Sequence, residues 1–266
     1  MYYSNEIAKI YYTVVGQGDP LLIIHGFSID HRSVKGIVEE SLQNKAYKRI
    51  YIDLPGMGRS AAPRKMINAN ELLTVLIEFI NDIIGKESFS LLGYSYGRYL
   101  ALGIIKAIPD RVEKLILLAP VVKALFGKRR LPKRLEGEAA YFEVEDKTLF
   151  EEYKNNAVNI TKKGYENYVS EIHSGLSVGD REFQKSFQKN GYSFGFEESL
   201  FGEVINCAAL IILGEQDEVV GYKDMIENQK DFSKGVFILL ENAGHNLQLD
   251  EREKVTNEIN TFLELQ

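Results

Sequence analysis

The chain has 266 residues, 45% of them hydrophobic, with 32 lysines and arginines against 38 acids, four histidines and a single cysteine. A formal charge of −6 argues against nucleic acid as a main partner, and Cys207 alone excludes a disulfide framework and fits a reducing, cytoplasmic compartment. No apolar run reaches the roughly 18 residues of a membrane helix, and the opening MYYSNEIAKIYY lacks the charged and apolar regions of a signal peptide.

Short apolar runs alternate with helical patterns. Ile10–Val15 and Leu21–Ile24 read as strands joined by the turn Gly16-Gln17-Gly18-Asp19-Pro20, and Arg49–Ile52 as a third. A helix runs from the cap Asn68, with Glu71 three residues on, to Ile84, and Gly85 ends it. Phe89–Leu92 is a strand, and the helix that follows it ends at Pro109. Lys114–Ala119, Leu210–Leu213 and Val236–Leu240 are further strands, and a helix near Leu249–Leu263 closes the chain. Continuous apolar strands separated by helices predict a parallel sheet covered on both faces. The stretch from Val121 to about Asn206 breaks this rhythm. It is polar but rich in aromatics, from Phe126 and Tyr141 through Tyr153, Tyr168 and Phe187 to Tyr192 and Phe201. Disordered segments are poor in aromatics, so an ordered lid is expected there. The basic run Lys128-Arg129-Arg130 with Lys133-Arg134 reads as a solvated face.

Between the strand at Phe89 and its helix stands Gly93-Tyr94-Ser95-Tyr96-Gly97, a serine on a strand-to-helix turn so tight that only glycine fits two residues to either side. The turn lifts the hydroxyl to a helix N-terminus, where free amides can hold negative charge. A serine hydroxyl is a weak nucleophile at neutral pH and needs a base. His245, in Ala243-Gly244-His245 after the last strand, can take and return the proton. Asp217, just after strand Leu210–Leu213, can hold one imidazole tautomer, with Glu215 and Glu218 as competitors.

With Ile23-Ile24-His25-Gly26-Phe27 and Asp53-Leu54-Pro55-Gly56-Met57-Gly58-Arg59-Ser60, these segments resemble the α/β-hydrolase superfamily over nearly the whole chain, most of all its capped single-domain serine hydrolases, which include esterases and carbon–carbon bond hydrolases. The resemblance implies an α/β fold with a mostly parallel central sheet, helices on both faces and a helical cap inserted after the sixth strand: 1–120 and 207–266 as core, 121–206 as cap. It implies catalytic Ser95, Asp217 and His245, with an oxyanion hole formed by the backbone N–H groups of Phe27 and Tyr96. No cofactor and no metal are implied. The partner is a small-molecule substrate, with no nucleic acid and no membrane, and a homodimer stays open.

The expected reaction is acyl transfer from small to medium carboxylic esters. Two alternatives use the same fold: hydrolysis of a carbon–carbon bond in a β-diketone-like substrate, with Arg32, Arg98 or a cap lysine clamping a carboxylate, and a ligand-binding receptor. His25 is expected to hydrogen-bond within its loop, His31 to lie near the pocket mouth or cap a helix, and His173 to sit on the surface or line the pocket. Asp53 and Arg59 are expected to brace the glycine loop. Arg98 stands where relatives often carry a second glycine; if buried it needs a partner, with Asp53 one candidate.

Overall fold

The computed structural model describes residues 1–43, 45–133 and 142–264; Arg134 and Tyr141 lie outside them. Eight strands form one sheet in the order β1-β2-β4-β3-β5-β6-β7-β8. They are β1 (Tyr2–Ser4), β2 (Lys9–Val15), β3 (Asp19–Ile24), β4 (Tyr47–Ile52), β5 (Phe89–Tyr94), β6 (Val112–Leu118), β7 (Ile205–Gly214) and β8 (Phe232–Leu240). β1 and β2 pair antiparallel at one edge, and from β4 onward every pairing is parallel.

Side chains alternate across a strand, and here both faces are apolar. Leu22, Ile24, Ile50, Leu91, Leu117 and Ile211 pack on one face, against α2 (Ala69–Ile83) and α3 (Tyr96–Ala107). Leu21, Ile23, Tyr51, Leu92, Ile116 and Ile212 pack on the other, against α1 (Arg32–Ser41) and the C-terminal helix. The capping box of α2 is complete: the Asn68 side chain accepts from the Asn70 and Glu71 amides, and Glu71 accepts from the Asn68 amide.

Between β6 and β7 come α4 (Lys147–Asn156), α5 (Lys162–Asn167), a π-helical turn (Tyr168–His173) and α6 (Arg181–Asn190). Gly175 packs on Asp30, Gly179 bridges to Met57, and Phe187 stacks on Phe27, so these helices cover the C-terminal ends of β3 and β4. The closing helix differs from the sequence expectation. It is a short turn, Leu247–Asp250, and then α7, Arg252–Glu264, broken at Glu251, whose φ of −132° and ψ of 47° are not helical. The break turns the Asp250 carboxylate away from the helix toward three backbone amides described below.

Candidate active site

Ser95 occupies the turn between β5 and α3 with φ 53° and ψ −114°, a conformation that a side chain rarely adopts and that the surroundings must impose. The flanking glycines show why. A Cβ at Gly97 would collide with the Ile24 carbonyl oxygen, and one at Gly93 would lie 2.6 Å from the Arg98 Cα. The Ser95 amide donates to Leu118 O at 2.9 Å, which ties the turn to β6.

Three loops at the same sheet edge bring their side chains together. The Ser95 hydroxyl donates to His245 Nε2 at 2.9 Å, and His245 Nδ1–H donates to Asp217 Oδ2 at 2.9 Å. Asp217, rather than Glu215 or Glu218, meets the imidazole. Its other oxygen, Oδ1, accepts the amides of Val219 and Val220, each at 2.9 Å. Burial alone would raise the Asp217 carboxyl, but the His245 charge and hydrogen bond and the two valine amides outweigh it and hold the group below the usual carboxylate range. The imidazole also stacks on Tyr94 at 5.5 Å, and the Tyr94 hydroxyl donates to Asn246 Oδ1 at 2.8 Å.

Tyr96 is the first residue of α3, so its amide is one of the helix's unpaired donors. Among the described residues neither that amide nor the Phe27 amide meets an acceptor. Phe27 lines a cavity of about 610 Å³ into which Ser95, the residue before Tyr96, and His245 also face, with Tyr192, Ile172 and Leu176 as further walls. That volume suits a small organic molecule.

Two of the remaining histidines, His25 and His31, serve structure. His25 is fully buried; its Nδ1–H donates to Gly26 O at 2.6 Å, and its Nε2 accepts the Leu54 amide at 2.9 Å, fastening the loop after β3 to the loop after β4. Burial lowers its pKa and keeps the ring neutral, as that bonding requires. His31 is not at the pocket. It is buried with Nδ1 2.7 Å from Asp53 Oδ1, whose oxygen also accepts the His31 amide at 3.0 Å. His173 is half-exposed and sits 3.2 Å from Glu152.

Two arginine expectations are corrected. Asp53 spends its carboxylate on His31 and the Arg59 amide, so it is not the partner of Arg98. Arg98 is fully buried and donates to Val121 O at 2.5 Å and to Met225 Sδ at 3.0 Å; burial pulls its guanidinium down to about 9. Arg32 forks onto Asp30 and reaches Ser174 O at 2.8 Å. Neither arginine lines the cavity. Asp30, His31 and Asp53 hold three ligand-type atoms within 4.8 Å of one another, but Arg32 and the Arg59 amide already bind the carboxylates, and the cluster is an internal clamp.

The role of Asp250 is not legible in the sequence, because two of its three partners, Val158 and Asn159, lie 92 and 91 residues away. Its Oδ1 accepts the Val158 and Asn159 amides at 2.7 and 3.0 Å, and its Oδ2 accepts the Gly244 amide at 2.9 Å, next to His245. It therefore ties the helical segment to the histidine loop. Burial pushes its carboxyl up to about 6 against the pull of these amides. With a folded-state pKa above the unfolded one, the folded protein holds this proton more tightly; that contribution is full below the unfolded value and is lost as pH rises through about 6. In urea unfolding, stability relative to Asp250→Asn is expected to rise by roughly 2 to 3 kcal/mol as pH falls from neutral to about 4. A pH-independent difference would mean that the carboxyl titrates normally.

The model for the alpha/beta hydrolase fold matches residues 19–252. This chain belongs to the α/β hydrolase fold family. Among members of that family, it is 36% identical to an alpha/beta superfamily hydrolase from Oenococcus oeni PSU-1, with a TM-score of 0.90 over 96% of this chain and 95% of that one. It is 24% identical over 257 residues to an (E)-2-((N-methylformamido)methylene)succinate hydrolase of Acinetobacter baylyi, covering 96% of this chain and 94% of the relative. An esterase from Exiguobacterium antarcticum, 20% identical, shares the fold with a TM-score of 0.74 over 97% and 96% of the two chains. Among the described residues of this α/β hydrolase no helix is long and apolar enough to cross a membrane.

Proposed function

We propose that this α/β hydrolase is a serine hydrolase acting through an acyl-enzyme on small to medium carboxylic esters. The observation that carries the reading is the alignment of Ser95 Oγ, the His245 ring and Asp217 Oδ2 through two 2.9 Å hydrogen bonds, with Ser95 and His245 in the wall of the 610 Å³ cavity.

His245 takes the hydroxyl proton as Ser95 Oγ attacks the carbonyl carbon, and Asp217 stabilises the imidazolium that forms. Negative charge on the carbonyl oxygen falls to the Phe27 and Tyr96 amides, which act as the oxyanion hole. The imidazolium returns its proton to the leaving alcohol. Water, deprotonated by His245, then attacks the acyl-enzyme and frees Ser95. Residues 121–206 act as a cap whose aromatics shape the pocket, and the cytoplasm is the proposed compartment.

The same three groups could open a carbon–carbon bond; of the side chains considered for its carboxylate clamp, Arg32 and Arg98 are engaged away from the cavity, which leaves a cap lysine. Wild-type protein is expected to release p-nitrophenol from p-nitrophenyl butyrate over many turnovers, with added methanol partitioning the acyl group into methyl butyrate. A single turnover, or none, would instead favour a ligand-binding receptor.

A further inference from the structure

Beside the cavity at Ser95 lies a second one of about 420 Å³, and the two share Phe27, Ser28, Asn156, Leu176 and Gln188 as walls. Helix α6 lies along both. Residues four apart share a helix face, and here Phe183 and Phe187 turn into the core. Arg181 and Lys185 line the outer cavity, and Lys189, four residues further on, lines the inner one.

Arg129 adds a fourth cation, on the inner wall. Its guanidinium donates at 2.9 Å to the carbonyls of Lys123, Val219 and Ala124, so backbone oxygens fix its position without neutralising its charge. Among the described residues the inner cavity is lined by no carboxylate, and the outer one by Glu152 alone, which faces His173. The chain as a whole has more acids than bases, 38 against 32. Along the two cavities taken together that balance is reversed, four lysines and arginines to one carboxylate. Clefts lined by one sign of charge concentrate ligands of the other.

From this placement we infer that the substrate is a carboxylate-bearing ester, its carboxylate held by Arg129 and by the Arg181, Lys185 and Lys189 face of α6 while its ester carbonyl lies at Ser95. The inference rests on the serine hydrolase reading for the reaction, but the anion site can be tested without turnover.

Two substrate pairs separate charge from size: mono-p-nitrophenyl adipate against p-nitrophenyl hexanoate, and butyryloxyacetate against ethyl butyrate. In at least one pair the anionic ester is expected to have the higher kcat/KM. Its advantage should fall on the order of tenfold in Arg181→Gln/Lys185→Gln/Lys189→Gln, whose three changed side chains are exposed. Molar salt should also shrink it. In parallel, calorimetric titration of Ser95→Ala should show adipate binding more tightly than hexanoate, and the triple replacement added to Ser95→Ala should remove the difference.

Neutral esters preferred in both pairs, or a preference unmoved by the triple variant and by salt, would overturn the inference while leaving the hydrolase reading intact. Lysine-dependent adipate binding without turnover of any ester would do the reverse: the anion site would stand and the hydrolase reading would fall.

Discussion

Ser95→Ala is expected to lower kcat for p-nitrophenyl butyrate by about 10⁴- to 10⁶-fold, because removing the nucleophile from such a constellation costs nearly as much as removing all of it. What turnover persists comes from binding and from donors to the oxyanion. The protein should stay folded. The change deletes one hydroxyl that faces the cavity and leaves the positive-φ backbone at position 95, which the packing of Gly93 and Gly97 and the bond from the Ser95 amide to Leu118 O continue to impose. Thermal unfolding and circular dichroism should therefore match the wild type while the ester assay collapses. Activity within tenfold of wild type would take Ser95 out of the chemistry.

Asp217→Asn is expected to cost about 10⁴-fold in kcat, the size of the loss when the orienting carboxylate of a comparable triad becomes an amide. The structure gives a specific reason. Oδ1 of Asp217 accepts two backbone amides, from Val219 and Val220. In the variant the amide oxygen must take that place, which turns the NH₂ toward His245 Nδ1, where Oδ2 now accepts at 2.9 Å. Two donors cannot face each other, so the imidazole proton moves to Nε2, and the nitrogen beside Ser95 Oγ can no longer accept the hydroxyl proton. The loss should appear in kcat more than in KM, since Asp217 lines neither cavity. Turnover preserved within tenfold would show that the tautomer is set by some other group.

Most of the sheet could be read from the chain because its strands are buried on both faces and so appear as unbroken apolar runs. β1 escaped notice: three residues long, largely exposed and at the sheet edge, it owes its existence to its pairing with β2. A helix drawn through Glu251 follows from apolar spacing that continues past that residue, while at the break the Asp250 carboxylate meets amides of Val158, Asn159 and Gly244, which the spacing does not reveal. The convergence of Ser95, Asp217 and His245 was legible since each follows the C-terminal end of a strand in one sheet. The partners of Arg98 were not. Spacing says nothing about which way a buried side chain points, and this one meets a carbonyl and a thioether rather than Asp53. Nor could the sequence show that Arg129, one of five basic residues in a run read as solvated, stands in the wall of the cavity.

Phosphonylation tests the account most directly. A fluorophosphonate reacts with a serine whose hydroxyl is activated by a neighbouring base and whose developing charge is held by donors, and ordinary serines do not meet both conditions. Intact-mass analysis of the treated protein should show one adduct per chain, and peptide mapping should place it on Ser95, with labelling slowed sharply in Asp217→Asn. A protein that turns over esters yet carries its adduct on another residue, or none at all, would contradict it.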